Sequence, residues 1–529
     1  MVLVMLVLYV LSFLAIGFWV AQKALVRNLF PKEFLYIASI AASLCIYYFL
    51  FYLYVLSPTV AHVALIFLIF MSLLCGYFIV KGFCNSESSR ITARKYYLPP
   101  AIITIIVLFA YSLNFYSCLT TKPSIGGYQE TTNPPFCSIS GLPFDNALPY
   151  IYGNNILNKQ EKQPVIDWTL ADRPPLQIAA SLPILDFAKH SGLFKKFAYY
   201  NVFAMFLQLS WVGAIWSTLK FMKVDKRYIP FVLVGLATVG FFYLNSVFVW
   251  PKLLAGAMVV SGVIIFVGKR AIDYRYLPYA AILLSLGLLS HDGVIFTIFP
   301  FTILMLYKIY RAREIKIQYL LYAIGLALVL LAPWSIYKGT ITKNDRLTKW
   351  HLAGIHSVED KRSTFQAITQ QYSKLSLKQW ANDKKINAET LVTGNFHIST
   401  GCRLNTIGIV NKCIYSNWRG LTFFSTLFAL ESFNLGWFIL IYRAAKHRLQ
   451  NTDIELMLLI AASLAVWVLA MFEPGATIVH QGSYATMMLI FILLIRSLVT
   501  LPVRFFAALV AIQTIIFYLV WVSGFYKLA

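Results

Sequence analysis

Two carboxylates in one polar stretch are the residues best suited to chemistry. Asp145 stands in Gly141-Leu142-Pro143-Phe144-Asp145-Asn146-Ala147-Leu148-Pro149. Asp172 stands in Asp167-Trp168-Thr169-Leu170-Ala171-Asp172-Arg173-Pro174-Pro175-Leu176. One carboxylate can act as general base toward a hydroxyl while the other positions a second substrate or binds a cation. The apolar run 176–189 that follows reads as an amphipathic interfacial helix, which would set both acids over a hydrophobic groove suited to a lipid-linked substrate. Each has a plainer reading too. Asp145 could cap the helix behind it, and Asp172 could pair with Arg173 before the Pro-Pro turn.

Cations that could meet a phosphate lie farther along. Lys252 follows Trp250-Pro251, where it could bind a lipid phosphate or snorkel beside an aromatic anchor. Arg346, Lys349 and His351 fall in Asp345-Arg346 and Lys349-Trp350-His351, in a second polar stretch. A guanidinium there suits a bidentate grip on phosphate better than an ammonium, although a basic solvated loop would look the same. His291-Asp292-Gly293 forms a tight turn between two apolar runs, functional or simply polar. Glu473-Pro474 and His480-Gln481-Gly482-Ser483-Tyr484 come last; His480 and the hydroxyl of Tyr484 could hydrogen-bond a phosphate.

The elements that must hold these residues are membrane helices. The 529 residues are 59% hydrophobic and 12% charged, about half the roughly 25% charged share of a soluble domain. Runs near the roughly 20 apolar residues of a spanning helix fall at 1–22, 33–57, 59–81, 98–116, 198–222, 229–248 and 250–268. Further runs fall at 276–290, 293–308, 317–335, 421–442, 454–472, 482–498 and 505–525. The expectation is an all-α polytopic membrane protein with about 14 transmembrane helices. The first run lacks a basic leader and a small-residue cleavage site, so it reads as retained.

The net charge of +24 comes in short clusters between these runs, at Lys23–Lys32, Lys81–Lys95, Lys220–Arg227, Lys269–Arg275, Lys308–Lys316 and Arg443–Arg448. Clustering of this kind orients a membrane protein and does not resemble the basic stripe of a nucleic-acid binder, so no nucleic acid partner is expected. Every cluster falls on the same side of the alternating spans, which makes that side cytoplasmic and both termini external. Two long polar loops, 117–197 and 336–420, then lie outside, because irregular backbone cannot sit unpaired in lipid. Cys118 and Cys137 share the first loop and Cys402 and Cys413 the second, which suggests two local disulfides, whereas Cys45, Cys75 and Cys84 lie in helices or on the cytoplasmic side. No phosphate-binding loop, nucleophile elbow, zinc motif or dinucleotide fingerprint is present.

An aspartate in the first large external loop, followed by Asp172-Arg173-Pro174-Pro175-Leu176, resembles the bacterial GT-C superfamily of membrane glycosyltransferases. Trp250-Pro251-Lys252-Leu253-Leu254, Lys349-Trp350-His351-Leu352-Ala353-Gly354 and His480-Gln481-Gly482-Ser483-Tyr484 are similar to segments of its bacterial members. The likeness covers about residues 98–500, leaving 1–97 as extra N-terminal transmembrane helices before a core of 98–529. It implies an inverting enzyme on the periplasmic face of the bacterial inner membrane. The donor would be a sugar on a polyprenyl phosphate such as undecaprenyl phosphate, and the acceptor a hydroxyl of a glycan, lipid or protein. Asp145 and Asp172 would be catalytic, and Arg173, Lys252, Arg346, Lys349, His351, His480 and Tyr484 would hold the donor phosphate or lipid. A divalent metal is left open, since some members use one. A transporter or flippase of lipid-linked glycans, or a membrane glycan polymerase or ligase, are the alternative readings.

Overall fold

The computed structural model describes residues 2–114, 145–160, 162–165, 168–190, 196–269, 271–312, 316–342, 345–357, 360–394, 425–476 and 484–519. Among them the protein is all-α, with no strands and one isolated β-bridge between Val165 and Trp168. Among the described residues, eight helices are long and apolar enough to cross a membrane, or nine if the bent pair Ile229–Ala237 and Gly240–Val247 counts as one span. The chain is a multi-pass membrane protein.

Each of the fourteen apolar runs contains helix, but several of these helices are too short to cross a bilayer as they stand. Lys252–Ile264 has 13 residues, Tyr484–Leu498 and Val503–Phe517 have 15 each, Leu277–Ser290 has 14 and Leu435–Ala445 has 11. At 1.5 Å per residue, such lengths give roughly 16–22 Å against a hydrocarbon core of about 30 Å. Fourteen full spans were expected from hydropathy, and hydropathy does not tell lipid from protein. Every residue of Lys252–Ile264 is buried, and so is every residue of Tyr484–Leu498 except Arg496. Their apolar character serves packing inside the protein.

Other helices face outward along one or more sides. Pro58–Asn85 exposes Val60, Val63, Phe67, Phe70 and Leu73, and Ile317–Ile341 buries only 6% of its most apolar window. A water-facing surface would not carry so continuous an apolar face. The result is a buried inner set of helices ringed by lipid-facing ones.

The helices of residues 1–97 join the same hydrophobic core as the rest. Leu35–Leu56 is largely buried and packs against Leu176–His190 and Ser210–Phe221. Leu35–Leu56 also packs against Val2–Val26, where a methyl on Gly17 would lie 2.0 Å from the Ser39 carbonyl oxygen, so only glycine lets these two helices approach this closely.

Helix Leu176–His190 corrects the interfacial reading of 176–189. Residues 176–186 are all buried, between Leu35–Leu56, Leu148–Leu157 and Lys196–Gln208. Its apolar residues cover the whole circumference, and two of its polar side chains find partners inside: Gln177 donates to the Val249 carbonyl at 2.7 Å, and Asp186 accepts from Tyr54 at 3.0 Å. The second polar stretch begins later than expected, because helix Ile317–Ile341 runs through its first residues. Beyond it Arg346–Ala353, Thr364–Tyr372 and Leu377–Thr393 form a small helical cap. The two proposed disulfide pairs, Cys118 with Cys137 and Cys402 with Cys413, lie outside the described residues. The described cysteines, Cys45, Cys75 and Cys84, are free thiols.

Candidate functional site

Trp168 is the hub of the site. Val165 and Trp168 exchange backbone hydrogen bonds at 2.8 and 3.0 Å. The short 3-10 helix Leu170–Asp172 follows, and the Asp172 carboxylate accepts from the Thr169 amide at 2.8 Å and its hydroxyl at 2.9 Å. Asp172 is buried in this capping role. The turn so fixed presents Arg173, whose guanidinium carbon lies 4.4 Å from the Trp168 ring centre and 5.6 Å from that of Trp250.

Lys252 comes to the same place from another direction. Just before it, Val249 adopts φ +51, a left-handed conformation that is strained for a β-branched residue. Gln177 anchors that residue by donating to its carbonyl at 2.7 Å, and also donates to the Tyr200 hydroxyl at 2.8 Å. Gln208 donates to Gln177 at 2.8 Å and accepts from the Leu254 amide at 3.2 Å, which pins the start of helix Lys252–Ile264. Lys252 is only 2% exposed, and its ammonium lies 4.0 Å from the Trp250 centroid and 5.3 Å from that of Tyr484. Tyr484 is itself fixed by donating to Asn245 at 2.7 Å.

The cap helix Arg346–Ala353 supplies the third cation. Arg346 is buried, with its guanidinium carbon 5.1 Å from the Trp168 centroid, and the Trp350 ring lies 6.1 Å from Trp168. Arg346, Trp168, Arg173, Trp250, Lys252 and Tyr484 therefore form one continuous series of cations and aromatic faces. Each such contact contributes about 0.5–2 kcal/mol, more when desolvated.

This concentration of positive charge marks the two nearby histidines. His291 has its ring 5.9 Å from Trp250 and accepts from the Gly293 amide at 3.0 Å through Nδ1. Its enclosure, then Lys252, Arg173 and His351, hold its pKa well below the ordinary value. His351 is lowered to about 4, first by burial and then by Arg173, His356 and Lys252, against a smaller opposing effect of Asp345. Both rings are neutral at neutral pH and act as hydrogen-bonding groups.

Lys349 does not join the series. It is 3% exposed, donates to the Asp360 carbonyl at 2.8 Å and meets that carboxylate at 3.5 Å, so it fastens the cap helix to the following segment. Arg362 hydrogen-bonds the same carboxylate and holds its pKa at about 2. Asp145 opens the 3-10 turn Asp145–Ala147, whose Asn146 carbonyl accepts from Tyr200 at 3.4 Å. Through Tyr200 and Gln177 that turn is tied to Val249, beside Trp250. The Asp145 side chain and all of His480 lie outside the described residues. Among the described residues, no three of His, Cys, Asp and Glu gather as a metal site.

Sequence reasoning gave no role to Trp168, Gln177, Tyr200 or Gln208. The available signal was polar amides inside apolar helices, and tryptophans spaced closely with basic residues. Comparison of the chain with protein-family models, with curated proteins and with solved structures finds no match in any of the three.

Proposed function

We propose that the protein is a membrane glycosyltransferase that takes a sugar from a polyprenyl-phosphate donor and transfers it to an acceptor hydroxyl. The observation that carries this reading is the convergence of Arg173, Lys252 and Arg346 on the indoles of Trp168 and Trp250. These cations come from three distant segments, and two of them are buried. Cations in a partly dehydrated site act more strongly on an anion than they would in water.

In the proposed reaction the acceptor oxygen attacks the anomeric carbon and inverts it. The bond from that carbon to the phosphate oxygen breaks, and the hydroxyl proton passes to the Asp145 carboxylate. The departing phosphate carries the developing negative charge, which Arg173 and Arg346 stabilise through their paired N–H groups and Lys252 as a compact charge. The Asp172 carboxylate positions Arg173 by fixing the turn before it. Short basic loops are retained in the cytoplasm, and that tendency supports an outer, periplasmic face of a bacterial inner membrane for the cation series. Lipid-linked sugars are the donors suited to that side, since nucleotide sugars are cytoplasmic.

The test is transfer of label from radiolabelled polyprenyl-phosphate hexoses in membranes that contain the chain. Label should pass to a glycan, lipid or protein fraction, and Lys252→Gln should slow the transfer by about 10²–10³-fold. Equal transfer in membranes without the chain would overturn the reading.

One observation favours a second reading, a transporter of lipid-linked glycans. The pair Ile229–Ala237 and Gly240–Val247 bends by 61°. The Glu431 carboxylate accepts from the Gly240 amide at 3.1 Å, and Gln513 donates to the Thr238 carbonyl at 2.9 Å. Broken helices with satisfied ends are common in transporters. Movement of fluorescent lipid-linked glycan across vesicles without any change in its sugar would favour that alternative.

A further inference from the structure

A cavity of about 290 Å³ lies beside the cation series, lined by Trp350, His351, His356, Glu473 and the 474–476 turn. Its walls are firmly built. The Phe472 amide donates to the His351 carbonyl at 2.9 Å, which joins the cap helix to the end of helix Asn451–Ala470. Lys384, buried in helix Leu377–Thr393, donates to the Met471 carbonyl; Asn387 donates to the same carbonyl at 3.0 Å and accepts from the Gly475 amide at 2.8 Å. Gly354 ends the cap helix at φ +65, and a methyl there would lie 2.8 Å from Phe472 and 3.2 Å from Glu473. Three separate segments thus meet around a fixed hollow.

The lining selects the chemistry of a ligand. His356 and Glu473 pair at 2.8 Å, with both side chains part-exposed. The Trp350 ring lies 4.9 Å from His356. A carboxylate in the wall repels phosphate, so the cavity does not extend the anion site. A purely apolar guest would strip water from Glu473 and His356 without replacing their hydrogen bonds. A neutral polyhydroxylated ring meets both demands. Its C–H face complements the negative face of the Trp350 indole, and its hydroxyls donate to Glu473. The volume lies at the lower edge of the roughly 300–1,000 Å³ typical of ligand pockets, which suits about one ring.

We infer that this cavity is a pyranose-binding subsite, with Trp350 as its platform and the Glu473–His356 pair as its hydroxyl acceptor. Trp350 also neighbours Trp168, on which Arg173 and Arg346 lie. A ring held there sits next to the proposed donor phosphate. Assigning that ring to the acceptor glycan rests on the glycosyl-transfer reading, whereas the sugar site itself does not.

The test is saturation-transfer NMR on the full chain in lipid nanodiscs, with methyl glycosides of glucose, galactose, mannose and N-acetylglucosamine as probes. At least one glycoside should receive saturation at its ring C–H protons. Trp350→Ala should abolish the signal, and Trp350→Phe should retain it. Glu473→Gln should weaken binding by roughly tenfold or more, the scale of a hydrogen bond to a charged group. Thermal unfolding of each variant verifies that it is folded. The inference is overturned if no glycoside is saturated by the wild-type chain, or if folded Trp350→Ala binds as well as wild type. Label transfer without glycoside binding would sink this inference and leave the glycosyl-transfer reading standing; glycoside binding without transfer would do the reverse.

Discussion

The two ends of the helical bundle use positive charge differently. At the basic end Lys308, Arg443 and Arg496 meet carboxylates and helix carbonyls, while Lys220 and Lys269 there lie on the rings of Trp216 and Phe221. Lys308 pairs with Glu455 at 2.7 Å and donates to the Phe266 and Lys269 carbonyls at 2.8 and 3.0 Å. Arg443 and Arg496 both bind Asp453 at 2.7 Å, and that carboxylate is fully buried. At the opposite end Arg173, Lys252 and Arg346 lie on aromatic faces. A carboxylate neutralises a cation and locks the helices that carry the pair. An indole holds a cation in place through its ring face and adds no charge of its own.

That contrast can be broken most severely at the proposed base. Asp145→Asn should lower label transfer by about 10²–10⁴-fold with little effect on folding, the usual cost of losing general base catalysis. Full transfer by this variant would remove Asp145 from the mechanism. Next, Lys252→Gln should cost on the order of 10²–10³-fold in turnover, as for loss of one group that stabilises developing charge. A rate close to that of wild type would mean that Lys252 serves packing alone.

At the basic end the expected loss is in stability. Asp453→Asn strands two largely buried guanidinium groups and should destabilise the fold by about 3–5 kcal/mol, read as a lowered unfolding temperature. Transfer per folded molecule should stay near wild type, and a selective loss of transfer would erase the proposed division between the ends.

The pH response is gentler and comes from His351, beside the cation series. His351 has a folded pKa of about 4 against an ordinary 6.5, so the unfolded chain binds more protons between those values. Stability should therefore fall as pH drops from about 6.5 to about 4 and level off below. His351→Gln should flatten that part of the profile, and an unchanged slope would assign it to other groups. The smallest effect is expected at Gly354→Ala, where a left-handed residue and a crowded methyl should cost roughly 1–3 kcal/mol and raise the acceptor KM more than they lower kcat.

Much of the architecture was readable in the chain. Long apolar runs and the shortage of charge determined an all-helical, multi-pass membrane protein, because lipid tolerates only backbone that satisfies its own hydrogen bonds. Lys252 stood out beside Trp250 at a helix junction, Arg346 as a guanidinium suited to gripping phosphate, and Arg173 through the resemblance of the segment that carries it. Tertiary structure decided how many apolar helices face lipid, since Lys252–Ile264 and Pro58–Asn85 are equally apolar and only packing separates buried from exposed. It moved residues 176–186 from a membrane surface into the core, where Gln177 and Asp186 find partners that no local pattern reveals. It also separated Lys349, which fastens to Asp360, from Arg346 three residues earlier, which lies on Trp168. Hydropathy and residue type are properties of short segments; which cation meets which ring depends on contacts between residues up to hundreds of positions apart, and only the folded chain makes them.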